Sequence, residues 1–232
     1  MSILVARLLT FQQTLAVELQ RFVLLWRYQH RVPPFTLWWR LVLKRVIDIV
    51  GSAVGIVLTT PVMIAAAIVV KLTSPGPIFY RQERLGCFGE VFNIYKFRSM
   101  KVNAEAAGPQ WASRHDDPRL TRIGGFLRRS HIDELPQLFN VFMGDMSLVG
   151  PRPERPCFIE KLNQDIPRYD ERLLIKPGMT GLAQVHYRYD TSVADVRRKL
   201  RFDLLYVKRM CVALDLRILF WTMGVVATGK GK

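Results

Sequence analysis

Between residues 116 and 154 the chain reads DDPRLTRIGGFLRRSHIDELPQLFNVFMGDMSLVGPRPE. Arg119, Arg122, Arg128, Arg129 and Arg152 surround the adjacent carboxylates Asp133 and Glu134, and Asp145 follows. Carboxylates among arginines suit chemistry at phosphorus. The guanidinium fork can hold phosphoryl oxygens by paired hydrogen bonds. One carboxylate could attack phosphorus, and the other could hold Mg²⁺ against a pyrophosphate leaving group. The same residues also admit a plain structural role. Ser130 followed three residues later by Asp133 matches a capping box, and acidic residues favour a helix N-terminus.

Other polar groups carry less. Asp116–Asp117 before Pro118 suits a turn, and His115 and His131 have no partner at metal-ligand spacing. YRQERLG at 80–86 and YKFRSM at 95–100 interleave aromatic and basic residues, which fits nucleic acid or a two-faced strand. In KPGMTGLAQVHYR, residues 176–188, Gly178 and Gly181 imply a close approach of backbone to some neighbour. Phosphate-loop, dinucleotide, nucleophile-elbow and zinc-protease signatures are absent from the sequence.

Those residues need a scaffold, and the composition bounds it. The 232 residues are half hydrophobic, carry a formal net charge of +15 and include three cysteines, Cys87, Cys157 and Cys211. The charge calls for an anionic partner: nucleic acid, a membrane surface or a phosphorylated substrate. Scattered, odd-numbered cysteines argue against a disulfide framework or zinc site. Residues 1–43 form an apolar, basic extension, interrupted by Glu18, Arg21, Arg27 and Arg31 and broken at Pro33–Pro34. It reads as a helix on a membrane surface or as a loosely packed segment, with no sign of a removable signal peptide.

From Ile49 to Val70 there is no charge. A helix of that length measures about 33 Å, enough to cross a bilayer core. Pro61, after Thr59 and Thr60, predicts a break, and both flanks are basic. Keeping both on the cytoplasmic side favours a re-entrant hairpin over a span. Residues 73–232 read as a compact, loop-rich domain, with helices near 133–142, 156–163 and 193–209 and an apolar helix over 212–227. The expected architecture is α+β and mainly helical: a re-entrant membrane helix hairpin over 44–72, plus a compact cytoplasmic catalytic domain with interfacial amphipathic helices.

Taken together, KRVID (44–48), TSPGPIFYRQERLG (73–86), FNIYKFRSM (92–100), DPRLTRIGGFLRRSHIDELPQLFNVFMGDMSLVGPRP (117–153), RLLIKPGMTGLAQV (172–185) and DLLYVKRMCVALDLRIL (203–219) resemble the bacterial sugar transferases. These are the monotopic polyprenol-phosphate phosphoglycosyl transferases, and the likeness is to their small form with an added extension. The resemblance implies a UDP-sugar donor, an undecaprenyl phosphate acceptor and Mg²⁺. It makes Asp133 the nucleophile and Glu134 the residue that places the metal. Arg128, Arg152, Lys96 and Arg98 become candidate ligands of substrate phosphate, and Thr60–Pro61 the membrane helix break. It places the enzyme among membrane phospholipids at the cytoplasmic face of the bacterial inner membrane, with no nucleic acid partner and with room for a homodimer. A glycosyltransferase that releases UDP, or a basic surface-binding module without activity, are the other readings.

Overall fold

A computed structural model describes residues 17–29, 32–106, 108, 117–187 and 193–227. Helix α1 covers residues 17–28. After Pro33, which ends the preceding chain and begins the next helix, α2 runs from Pro34 to Thr73. Strands β1 (Phe79–Leu85) and β2 (Val91–Phe97) form an antiparallel hairpin with Tyr80 opposite Lys96. Helix α3 (Gly124–Arg129), a one-turn 3-10 helix (Ile132–Glu134) and α4 (Gln137–Met143) follow. Strand β3 (Ser147–Val149) pairs in parallel with β4 (Gly178–Thr180), with α5 (Pro156–Asp165) and a 3-10 segment (Tyr169–Leu174) between them. Helices α6 (Leu182–His186), α7 (Val193–Arg209) and α8 (Val212–Ala227) close the described chain. The mainly helical expectation is met, with two small sheets among the described residues.

Helix α2 is one continuous element, with Pro61 inside it. Proline removes the donor that would reach Val57 O, four residues earlier. The neighbouring hydroxyls do not replace that donor. Thr59 Oγ1 donates to Gly55 O at 2.7 Å and Thr60 Oγ1 to Ile56 O at 2.6 Å, the back-bonding that loosens and bends helices. The helix is long and apolar enough to cross a membrane by length and composition.

A single stripe of α2 faces the rest of the protein: Leu37, Lys44, Asp48, Ser52, Met63, Ala66 and Val70 are its buried residues. The spacings of three, four, seven and eleven keep them on one side of a 3.6-residue helix. Three of them are polar, and each is matched. Lys44 Nζ donates to Asp215 Oδ2 at 2.8 Å, Val149 O at 2.9 Å and Tyr206 Oη at 3.1 Å. Asp48 Oδ1 accepts from Ser147 Oγ and the Leu148 amide, both at 2.9 Å. Next to them, Arg45 donates to Val141 O and Phe142 O at the end of α4, where orphan carbonyls collect. The KRVID segment therefore bolts α2 onto β3, α4, α7 and α8.

Among the described residues four apolar clusters result. One joins Leu25 of α1, Leu37 of α2, Tyr206 and Val207 of α7, and Ile218 of α8. Another sets Met63, Ala66 and Val70 of α2 against Phe97 and Leu127. The remaining two lie around α5 and α7, and between β2 and α4.

Candidate active site

The acid pair sits on a tight turn. Ser130 does not cap it: its hydroxyl donates backward to Phe126 O at 2.9 Å and Leu127 O at 3.2 Å, within α3. The capping-box expectation is therefore corrected. His131 takes the left-handed conformation, φ 57°, and starts the Ile132–Glu134 turn with no side-chain cap. The turn is held from below by Ile132 and Leu135, which pack on the cluster of Met63, Val70, Phe97 and Leu127. Asp133 is buried, at 6% exposure.

Two cations meet Glu134 at one atom. Lys96 Nζ donates to Glu134 Oε1 at 2.7 Å, and Arg152 Nη2 donates to the same oxygen at 2.9 Å. No described residue donates to Oε2. Burial pushes Glu134 upward, but the Lys96 ammonium and the Arg152 guanidinium outweigh it and hold the carboxyl well below its ordinary range. Lys96 is pushed down by burial, which Glu134 partly offsets. Arg152 is raised by Glu134. Both cations also feel the Asp133 charge. Arg152 is the accessible member, with 47% of its side chain exposed against 18% for Lys96 and 19% for Glu134.

Each element is aimed by hydrogen bonds outside the cluster. Asn140, fully buried on α4, accepts from the Tyr95 amide at 3.0 Å and donates to Asn93 O at 2.8 Å, fixing the strand that carries Lys96. The loop bearing Arg152 is held through its carbonyls. Val149 O accepts from Lys44 and Tyr206, Pro151 O from the Gly178 amide, Arg152 O from Arg172 Nη2, Pro153 O from Arg84 Nη1 and Glu154 O from the Leu85 amide. Gly178 and Gly181 make the close approach that their sequence suggested. A Cβ at Gly178 would stand 2.0 Å from Gly150 N, and one at Gly181 would stand 2.2 Å from Gly150 O.

The structure does not gather every candidate. Arg98 is buried and turned the other way: Nη1 donates to Pro75 O at 2.7 Å, and Nη2 to Ser74 O at 2.8 Å and Ser74 Oγ at 2.7 Å. In this position it fastens the end of α2. Arg128 ends α3, just ahead of the acid turn, and its charge reaches Asp117. Arg119 is spent on Asp117, to which its backbone amide, Nε and Nη2 all donate. The Asp117–Pro118 turn is thus present as expected. Asp116 and His115 lie outside the described residues. Thr60 and Pro61 stay within α2, away from the acid pair in sequence and element.

Sequence reasoning missed Asn140, Arg172, Arg84, and the docking roles of Lys44 and Asp48. A polar residue inside the apolar run LPQLFNVFM was the signal for Asn140. The i, i+4 spacing of Lys44 and Asp48 was the signal for a docked face.

As built, two carboxylates of different environment adjoin a half-buried ammonium and an accessible guanidinium. That set can hold a phosphorylated substrate and present a carboxylate oxygen to it. Mg²⁺ can be tested against the same residues. Among the described residues no three His, Cys, Asp or Glu side chains group as a metal cage. Glu134 Oε2, to which no described residue donates, fits a Mg²⁺ that takes one or two carboxylates and otherwise relies on substrate phosphate.

The sequence profile described as "Bacterial sugar transferase" matches residues 39–229. A protein of Aeromonas hydrophila named UDP-N-acetylgalactosamine-undecaprenyl-phosphate N-acetylgalactosaminephosphotransferase is 44% identical over 82% of this chain and 44% of its own length. A putative undecaprenyl-phosphate N-acetylgalactosaminyl 1-phosphate transferase of Bacillus subtilis is 49% identical over 66% of this chain and 80% of its own. A UDP-glucose:undecaprenyl-phosphate glucose-1-phosphate transferase of Escherichia coli is 42% identical over 78% and 39%. The chain therefore spans less than half the length of the Aeromonas and Escherichia relatives.

Proposed function

The chain belongs to the bacterial sugar transferase family, and from that premise we propose that it moves a sugar 1-phosphate from a UDP-sugar to undecaprenyl phosphate, releasing UMP. The observation that carries this reading is the convergence of Lys96 and Arg152 on Glu134, beside the buried Asp133. An Asp133 oxygen attacks the β-phosphorus of the donor. The bond from that phosphorus to the bridging oxygen breaks, and UMP departs with the bonding pair. The phosphosugar remains on Asp133 as an acyl phosphate until an oxygen of the acceptor phosphate attacks the same phosphorus. That second displacement restores the carboxylate and leaves a diphosphate-linked sugar. Arg152, exposed and aimed, receives the donor phosphates, and Arg128 lies beside the same turn. Glu134 Oε2 and the donor pyrophosphate would hold Mg²⁺, which neutralises charge on the leaving group when bound.

The docking of α2 supports a reading of its membrane placement. Lys44 and Asp48 before its uncharged run, and Val70 at the end of that run, pack on one and the same body. A bilayer crossing between them would draw polar parts of that body into hydrocarbon. These contacts support a re-entrant placement at the cytoplasmic face of the inner membrane, where UDP-sugars are found. Labelling of a cysteine at Gln20 by an impermeant reagent checks it in intact cells. Reaction from the periplasmic side would leave a spanning helix instead.

The reaction is tested by supplying a panel of UDP-sugars and undecaprenyl phosphate and identifying the nucleotide released. UMP is expected. Mass spectrometry of the protein with donor alone should find the phosphosugar adduct, and Asp133→Asn should lose both. Release of UDP would replace this reading with direct glycosyl transfer.

A further inference from the structure

Helix α1 lies ahead of the segment that the family profile matches, and it is built with two distinct faces. The inner face is docked. Leu25 is 4% exposed, Phe22 and Tyr28 pack beside it on the cluster shared with α2, α7 and α8, and buried Gln29 donates from Nε2 to Val207 O at 2.6 Å. Arg21 pairs with Glu90 and lies 5.3 Å over the Phe88 ring. The segment is thus neither loose nor independent of the body.

The outer face is unusual for a helix already docked. Leu19 is 64% exposed, Leu24 48%, Val23 39% and Trp26 37%, and exposed Gln20 and Arg27 lie among them. Trp26 satisfies its indole N–H on Val32 O at 3.0 Å, leaving its ring outward. Directly after Pro33 the same character continues: Phe35, Trp38 and Trp39 pack edge to face and are each about half exposed or more. They lead into the outer side of α2, where Val57 and Leu58 are both 72% exposed.

We propose that α1 is a membrane-surface anchor, with Leu19, Val23, Leu24 and Trp26 set into the headgroup layer of an anionic bilayer and Arg27 among its phosphates. The mixture decides the depth. Four apolar side chains gain by leaving water, while Gln20 and Arg27 on the same arc exclude the hydrocarbon. Tryptophans gathered where α1 meets α2 are the residues that favour the interface. The net charge of +15 gives the sign of lipid. The anchor would fix the tilt of the body over the membrane from a second point besides α2. The proposal rests on the placement of α2 in the bilayer, so the test reads both helices.

Single cysteines at Leu19, Leu58 and Glu160, with Cys87, Cys157 and Cys211 replaced, would each carry a fluorophore in the full-length protein. The proteins are reconstituted in phosphatidylcholine vesicles with or without phosphatidylglycerol, after activity is checked. Headgroup-level lipid quenchers should dim the Leu19 probe several-fold more than the Glu160 probe, more strongly with phosphatidylglycerol. Deep acyl-chain quenchers should dim the Leu58 probe. If Leu58 is quenched and Leu19 responds only to aqueous iodide, α1 faces water and the anchor is refuted while α2 keeps its place. If Leu58 is not quenched, the membrane placement of α2 falls and the anchor with it. Cross-linking between Leu19 cysteines of two copies, with protection from all quenchers, would assign the face to a dimer and overturn the proposal.

Discussion

Arg172 donates through Nη2 to the backbone carbonyl of Arg152 at 2.9 Å, so a buried guanidinium sets the chain from which an exposed one reaches Glu134. The same Nη2 pairs with Asp203 at 2.9 Å, and Nη1 donates to Tyr169 Oη at 2.6 Å. One planar fork thus ties α7, the 3-10 segment before β4 and the loop after β3.

Replacing Arg172 by Lys keeps the charge and loses the fork. The Arg152 loop should shift, lowering kcat/KM on the order of 10- to 100-fold, the scale of ångström misplacement in a site. Steady-state kinetics with a parallel thermal melt separate this from unfolding. Wild-type kcat/KM in a fully folded variant would show that the carbonyl contact does not position Arg152.

Glu134→Gln removes the anion that offsets the burial of Lys96. The Lys96 ammonium should then lose its proton at lower pH than in the wild type. The alkaline limb of the kcat/KM profile should move to lower pH, and Mg²⁺ dependence should weaken because a charged oxygen is gone. A pH–rate series at several Mg²⁺ concentrations checks both, and an unmoved alkaline limb would free Lys96 from this assignment.

Hydrogen bonds from Arg119 hold Asp117 down to about 2, against an ordinary value of 3.8. A depressed carboxyl stabilises the folded state above its unfolded pKa, and that contribution fades as pH falls through the folded one. The wild type should therefore lose thermal stability between about pH 4 and pH 2. Asp117→Asn should start lower at neutral pH and show a flatter decline across that window. Parallel slopes in the two proteins would remove the pair from the acid response.

Lys44→Met leaves the Asp215 carboxylate buried beside Tyr206 without its cation. Breaking one side of such a pair costs about 3–5 kcal/mol, whereas replacing both sides with apolar groups is often close to neutral. Lys44→Met should unfold at a clearly lower temperature in lipid nanodiscs, and Lys44→Met with Asp215→Leu should recover most of the loss. A double variant as unstable as the single one would contradict the pairing as the source of the cost.

The order and type of the elements were largely legible in the chain. The charge-free run of residues 49–70 dictates a long apolar helix because nothing in it needs water, and the periodic patterns of 193–209 and 212–227 give α7 and α8 at those bounds. Asp133, Glu134 and Arg152 could be marked as a chemical set from their types alone. Residue type alone did not distinguish Arg152 from Arg98 or Arg119, since all three are arginines within a few residues of other cations. One reaches the acid pair, one clamps the end of α2 and one closes a turn. The basic residues before the uncharged run read as a flank kept on the cytoplasmic side, yet Lys44 is buried and spent on Asp215. What decides these roles is which carbonyls and carboxylates arrive within about 3 Å of each cation. Apart from Asp117, two residues from Arg119, those partners lie 18 to 171 residues away, so only tertiary packing brings them together.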